Sequence, residues 1–265
     1  MASLLSPIYK IYEIVKTIYY IYDSESIKIK VEVKYKPRGW DNMNELEMWS
    51  RVDQYITEKL IPQDTVLEQV LSANRQAGLP PYDVSAAQGK LLQLFVRMQN
   101  AKRILEIGTL GGYSTIWMAR ALLADGRLVT LELDPRHAKV AQANLSLAQV
   151  KGVVEIRVGD ALEQLAKLEE EGAAPFDLIF IDADKPNNPG YLKWALRFSR
   201  PGTVIIGDNV IRGGEIMNEA STDPRVNGVR EFYDLLEQEA RISATAIQTV
   251  GSKGYDGFVL GVVNG

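Results

Sequence analysis

The stretch Arg103-Ile104-Leu105-Glu106-Ile107-Gly108-Thr109-Leu110-Gly111-Gly112-Tyr113-Ser114 decides how the chain is read. Arg103–Ile107 is a short apolar run bounded by turn residues, which suits a strand buried on both faces. Glycines follow, and they let the backbone turn tightly and approach a ligand closely. Tyr113–Leu123 continues as a helix whose free N–H groups point back at the same place. The spacing is not the dinucleotide fingerprint, because that motif wants glycine where the chain has Leu110. It is acidic-x-Gly-x-x-x-Gly. A pyrophosphate needs a run of donors, whereas a carboxylate ahead of the loop suits a cationic ligand such as an amino group or a sulfonium.

Working outward, strands and helices alternate. Strands are predicted at Arg127–Leu133, Val153–Val158, Phe176–Asp182, Thr203–Gly207, Ser243–Thr249 and Phe258–Val263. Helices are predicted at Pro135–Ala148, Ala161–Glu171, Tyr191–Phe198 and Asp223–Gln238. Three more helices precede the first strand: two between Asn42 and Gly78, parted near Pro62, and one over Ser85–Asn100 with Ser85 as N-cap. Such alternation means a mostly parallel sheet covered on both faces. The last two strands, joined by a glycine-rich loop, form an antiparallel hairpin at its edge. Ligands of these sheets sit beyond the carboxyl ends of the strands, and every polar motif below lies at one.

The chain has 265 residues, 46% hydrophobic and 24% charged, which is enough for one sizeable domain. Its net charge of −4 favours neither nucleic acid nor an acidic membrane. It has no cysteine, which excludes disulfides, thiolate zinc sites and cysteine nucleophiles and is compatible with a cytoplasmic setting. The one histidine, His137, reads as a solvated residue at the start of a helix. No apolar run reaches the roughly 20 residues of a membrane-spanning helix.

Residues 1–40 differ from the rest. They carry six of the 12 tyrosines and seven Lys/Arg against four Asp/Glu, so this segment is +3 and the remainder −7. Ile8, Ile11, Tyr12, Val15, Ile18, Tyr19 and Tyr22 fall at helical spacing, although Ile and Tyr also favour sheets. Asp23–Ser26 is a turn, and Ile27–Tyr35 alternates with lysines as a strand with one wet face. The chain is therefore divided into an atypical extension, 1–40, and a main domain, 41–265. The extension is a fused segment, an oligomerisation arm or a lid.

Site residues follow from the strand ends. Glu132 ends the second strand, where a carboxylate accepts from ribose hydroxyls, while Asp134 caps the next helix. Asp160 ends the third, as an acceptor for an adenine amine or as a helix cap. The fourth ends in Asp182-Ala183-Asp184-Lys185 and the fifth in Gly207-Asp208-Asn209. Asp182, Asp208 and Asn209 make a hard oxygen set for Mg²⁺ first, or Mn²⁺ or Ca²⁺. Lys185 is a proton acceptor or a salt-bridge partner of Asp182 or Asp184.

In order and spacing, Glu106–Ser114, Glu132, Gly159-Asp160-Ala161, Asp182–Lys185 and Gly207–Val210 resemble the cation-dependent class I O-methyltransferases, the family of the caffeoyl-CoA and catechol O-methyltransferases. The resemblance covers about residues 42–263. It implies an α/β fold: a Rossmann-like, doubly wound, seven-stranded sheet, mostly parallel with an antiparallel edge strand and helices on both faces. It implies an enzyme that moves a methyl group from S-adenosylmethionine to a hydroxyl of a small catechol-like or phenolic acceptor. In that frame Asp182, Asp208 and Asn209 carry the metal, and Lys185 is the base, with Asp182 beside the methyl donor. Val84, Glu106, Gly108, Thr109, Ser114, Glu132, Asp160 and Ala161 contact S-adenosylmethionine. The family is commonly dimeric. One departure is Pro186–Tyr191, where many relatives have a shorter link, and Ile211–Asn227 carries no aromatic clamp for the acceptor. The alternatives are methylation of a hydroxylated tRNA base, which the basic strand Lys28–Lys36 keeps open, and a nicotinamide-dependent oxidoreductase, which Leu110 disfavours.

Overall fold

The computed structural model describes the backbone of residues 18–23 and 26–31 and all of 43–265. The chain divides into two compact units, Met1–Met48 and Trp49–Gly265.

In the first unit, β1 (Ile18–Asp23) pairs antiparallel with β2 (Ser26–Val31), with Asp23 opposite Ser26 and Ile18 opposite Val31. This corrects the helix expected over residues 8–22 for its last five residues. Isoleucine and tyrosine lose rotamer freedom in a helix and fit a pleated ladder, and here the following strand supplies a partner. The start of the expected strand falls in β2. Residues 8–17, 24–25 and 32–35 of those expectations lie outside the described residues.

The second unit is organised by one seven-stranded sheet of order β5-β4-β3-β6-β7-β9-β8. Its strands are β3 (Arg103–Ile107), β4 (Arg127–Glu132), β5 (Val154–Val158), β6 (Leu178–Ile181), β7 (Val204–Asp208), β8 (Ile242–Gly251) and β9 (Gly254–Val263). The first five are mutually parallel, and the hairpin β8–β9 adds the antiparallel edge through β9. The helices are α1 (Glu45–Leu60, which begins in the first unit), α2 (Thr65–Gln76), α3 (Ala86–Gln99), α4 (Tyr113–Ala119), α5 (Pro135–Leu147), α6 (Ala161–Glu170), α7 (Asn188–Arg197) and α8 (Pro224–Gln238).

Strand alternation sorts the core into two layers. Leu105, Ile107, Ile179, Ile181 and Ile205 pack with α6, α7 and α8. Ile104, Leu178, Phe180, Val204 and Ile206 pack with α2, α3, α4 and α5. Glu106 falls on the second face, directed at α4 rather than at solvent.

The order of strands fixes the order of the loops that matter. β3 lies between β4 and β6, and Ile107 is level with Leu131 and Ile181, which is level in turn with Gly207. The carboxyl ends of β4, β3, β6 and β7 therefore form one continuous rim. Among the described residues, no helix is long and apolar enough to cross a membrane.

Candidate active site

The glycine loop is locked against its neighbours. Gly108 has φ +104, and a Cβ built there would lie 2.2 Å from the Asp182 carbonyl oxygen. Only glycine lets the end of β3 come this close to the end of β6. Leu110, with φ 50, is a non-glycine residue in the left-handed region. That conformation aims its N–H at Glu132 Oε2, 2.7 Å away, a charge-assisted bond that offsets the backbone strain. Behind the loop, Asn144 donates to Asn74 and to the Gly111 carbonyl, and Asn74 donates to Asp83, all at 2.8 Å. This polar brace ties α2, α5 and the segment before α3 to the loop.

Glu106 is fully buried. Its Oε1 accepts from Ser114 at 2.6 Å, and its Oε2 accepts from Thr115 at 2.5 Å and Thr130 at 2.7 Å. The Thr109 hydroxyl meets that of Thr130 at 2.6 Å. The carboxyl is thus satisfied from within and touches the loop through hydroxyls. Burial pushes it up from the ordinary 4.5 to about 7, despite the three hydroxyl donors, which act in the opposite direction.

A buried acid raised in this way costs stability where it must ionise. In the unfolded chain it has already lost its proton, so the fold weakens as pH rises from about 4.5 through 7. Metal-free, donor-free protein should therefore lose up to about 3 kcal/mol between pH 5 and 8 relative to Glu106→Gln, measured by denaturant unfolding. Parallel stability curves for the two proteins would show that Glu106 ionises without penalty.

Glu132 is buried and accepts from the Asp134 N–H at 2.9 Å, as well as from Leu110. His137, expected to be solvated, is instead half-buried, with Nδ1 3.4 Å from Glu132 Oε1. The first turn of α5 brings it back over the end of β4. Asp134 caps α5 through Arg136 N. Asp160 caps α6 through Glu163 N, with Ala161 as the first helical residue, and its side chain is exposed at the rim. Val84 is buried next to Asp83.

At the other end of the rim, Asp182 and Asp208 follow the paired residues Ile181 and Gly207 of adjacent strands. Asp208 is buried, and burial together with the Asp182 charge pushes its carboxyl well above the usual range. Its Oδ1 accepts from Asn209 N at 2.8 Å, and its Oδ2 accepts from Gln88 at 2.6 Å. Asn209 sits at φ 53, which asparagine tolerates better than most residues. Lys185 is buried and donates to Asp182 Oδ1 at 3.0 Å, while Asp184 accepts from Tyr191 and Asn187 instead. Of the two salt-bridge partners open to Lys185, the structure selects Asp182. A Cβ on Gly228 would meet the Lys185 carbonyl at 2.2 Å, so α8 packs hard against the Lys185 turn and buries it.

Among the described residues, no group of three or more His, Cys, Asp or Glu side chains could hold a metal. The set here is two carboxylates and an amide. Asp208 is buried and feels the charge of half-buried Asp182, to which Lys185 is bonded; an added cation would offset the cost of ionising both carboxyls, and all-oxygen donors fit a hard one.

Sequence reasoning missed Gln88, the Asn74–Asn144 brace and Arg212. The last is half-buried at φ 55, three residues past Asn209, with Nε buried and without a hydrogen-bond partner. None of these contacts had a local signal pointing to it, since each acts across a long stretch of chain or through a backbone twist.

The family model described as O-methyltransferase matches residues 57–260. A catechol O-methyltransferase of Niastella koreensis is 51% identical over 217 residues, covering 82% of this chain and 98% of its own. The O-methyltransferase of Bacillus cereus, solved in complex with SAH, superposes with a TM-score of 0.82 at 58% identity, covering 83% of this chain and 100% of its own. The TomG O-methyltransferase of Streptomyces achromogenes, involved in tomaymycin synthesis and solved with SAM, gives 0.81 at 49% identity, with 84% and 100% covered. With the acidic-x-Gly-x-x-x-Gly loop in place of a dinucleotide motif, these matches set the nicotinamide alternative aside, and the chain belongs to the O-methyltransferase family as an S-adenosylmethionine-dependent enzyme.

Proposed function

We propose that the enzyme methylates a hydroxyl of a small catechol-like or phenolic acceptor, with Asp182, Asp208 and Asn209 holding a divalent cation, Mg²⁺ before Mn²⁺ or Ca²⁺. The observation that carries this reading is the juxtaposition of Asp182 and Asp208 on adjacent strand ends, with Lys185 bonded to the first. Relatives named catechol O-methyltransferase support the acceptor class.

A dication bound there would stabilise the phenolate form of the acceptor. The protein's own groups do the rest. Glu132 takes the ribose hydroxyls of the donor, and Asp160 and Ala161 border its adenine. Glu106 acts through Ser114 on the donor's amino group, while Val84, Gly108, Thr109 and Asp182 close the pocket around it. Holding donor and acceptor in register removes much of the entropic barrier. Lys185, once its ammonium has given up a proton to solvent, receives the acceptor's proton at Nζ, from a position packed by α8. Lys185→Met should lower kcat about 10²-fold or more while donor affinity holds; an unchanged kcat would remove Lys185 as the base.

The direct assay uses catechol, S-adenosylmethionine and enzyme stripped with EDTA. Turnover should vanish and return with Mg²⁺, whereas full activity in EDTA contradicts the metal reading.

The catalytic domain is taken as residues 41–265, with 1–40 outside the chemistry. A homodimer is favoured by α1, which exposes Val52, Tyr55, Ile56 and Leu60. A cytoplasmic setting suits a chain with no cysteine.

A further inference from the structure

Ser85-Ala86-Ala87-Gln88 has the form of a capping box, S-x-x-Q. Half of that box is made: Ser85 Oγ accepts from Gln88 N at 3.2 Å. In the other half, the glutamine side chain would fold back onto the N–H of the capping serine. Gln88 does not do this. Its Nε2 reaches across 120 residues of sequence to Asp208 Oδ2 at 2.6 Å. A side chain that gives up the local bond its position invites marks a site under functional constraint.

The reach is built into the packing. A Cβ on the next residue, Gly89, would lie 2.3 Å from Trp117 Cδ1, so α3 lies directly on the buried indole of α4. α4 is the helix that opens from the glycine loop. The first turn of α3 is thereby held between the donor loop and the end of β7, with Gln88 as the link. With Asn209 N on Oδ1 and Gln88 on Oδ2, both oxygens of the Asp208 carboxylate are tied, and its rotation is fixed. Each oxygen keeps a further lone pair for another partner.

We propose that Gln88 is a positioning residue of the metal site, which orients the Asp208 carboxylate for the cation. This rests on the reading of Asp182, Asp208 and Asn209 as ligands. Groups that hydrogen-bond to a ligating carboxylate set its direction, and their loss costs about 10- to 100-fold in metal affinity.

The test is Mn²⁺ titration by calorimetry on the full-length, metal-free protein, with S-adenosylhomocysteine affinity and the melting temperature followed in parallel. Gln88→Leu should weaken Mn²⁺ binding by about 10-fold or more and leave S-adenosylhomocysteine affinity within about two-fold. Gln88→Glu sets a third carboxylate against Asp208. It should lower the melting temperature of the metal-free protein and enlarge the rise produced by Mn²⁺, opposite in sign to Leu. Wild-type Mn²⁺ affinity in Gln88→Leu overturns the proposal. If that variant fails to fold, a Mn²⁺-induced rise in Gln88→Glu no larger than in wild type overturns it. Absence of Mn²⁺ binding by the wild-type protein removes the metal assignment itself and the proposal with it, whereas a defect confined to the Gln88 variants separates the two.

Discussion

Asp208→Asn should lose the divalent cation and reduce kcat/KM by about 10³-fold, since a metal contributes several kcal/mol of charge stabilisation at the transition state and each 1.4 kcal/mol is tenfold. The substitution keeps shape and leaves an oxygen for the Gln88 amide, so no cavity forms, although the new NH2 then faces the Asn209 N–H that Asp208 Oδ1 accepts. It also removes a buried carboxylate that burial and Asp182 hold above its ordinary value. A group raised in the fold weakens it at pH values above the unfolded value. The metal-free variant at pH 8 should accordingly melt close to the metal-free wild type, the relieved carboxylate offsetting the lost Asn209 N–H bond. S-adenosylhomocysteine affinity should stay close to wild type, because most of the proposed donor contacts follow β3, β4 and β5 and none follows β7. Loss of turnover without loss of stability separates a ligand from a structural residue. A variant with wild-type turnover in Mg²⁺ would show that Asp208 is not one.

The second large effect is structural. Gly108→Ala must place a methyl 2.2 Å from the Asp182 carbonyl oxygen and hold alanine at φ +104. Left-handed strain costs about 1–3 kcal/mol and overpacking about 1–3 kcal/mol more. The ends of β3 and β6 must part, which moves the donor loop and Asp182 together. A fall in melting temperature of roughly 10 °C is expected for a domain of this size, with donor and metal affinity both reduced. Gly172→Ala is the control. It has φ +68 with nothing within 4 Å of the built Cβ, so strain acts there alone. Equal melting temperatures for the two variants would mean that the β3–β6 contact does not hold the site together.

Much of the sheet was legible because its strands are short, apolar and separated by helical periods. Arg103–Ile107 begins and ends where the sequence predicts. The edges of other elements moved for identifiable reasons. β6 starts at Leu178 rather than Phe176; ahead of it the Asp177 side chain accepts from the N–H groups of Lys102 and Arg103. β8 and β9 run on to Gly251 and from Gly254, where glycines read as loop. Glycine in an edge hairpin interrupts the pattern of side chains without interrupting the backbone ladder.

The strand ends named Asp182, Asp208 and Asn209 because parallel topology puts successive carboxyl termini side by side. The partners of these residues were not legible. Gln88 lies 120 residues from Asp208, and its nearest sequence signal, the capping box, points the wrong way. The burial of Glu106 depends on hydroxyls from α4 and β4 that no spacing rule brings together. Tyr19 and Tyr22 fitted a helical period and became strand because a second strand lay three residues on.

In the proposed site one cation is held by neighbouring strand ends next to the glycine loop. A crystal grown with S-adenosylhomocysteine and soaked in Mn²⁺ tests it directly by anomalous scattering. The expected result is a single strong peak bounded by oxygens of Asp182, Asp208 and Asn209. A map with S-adenosylhomocysteine in place and no peak among these residues, or a peak elsewhere, would contradict it.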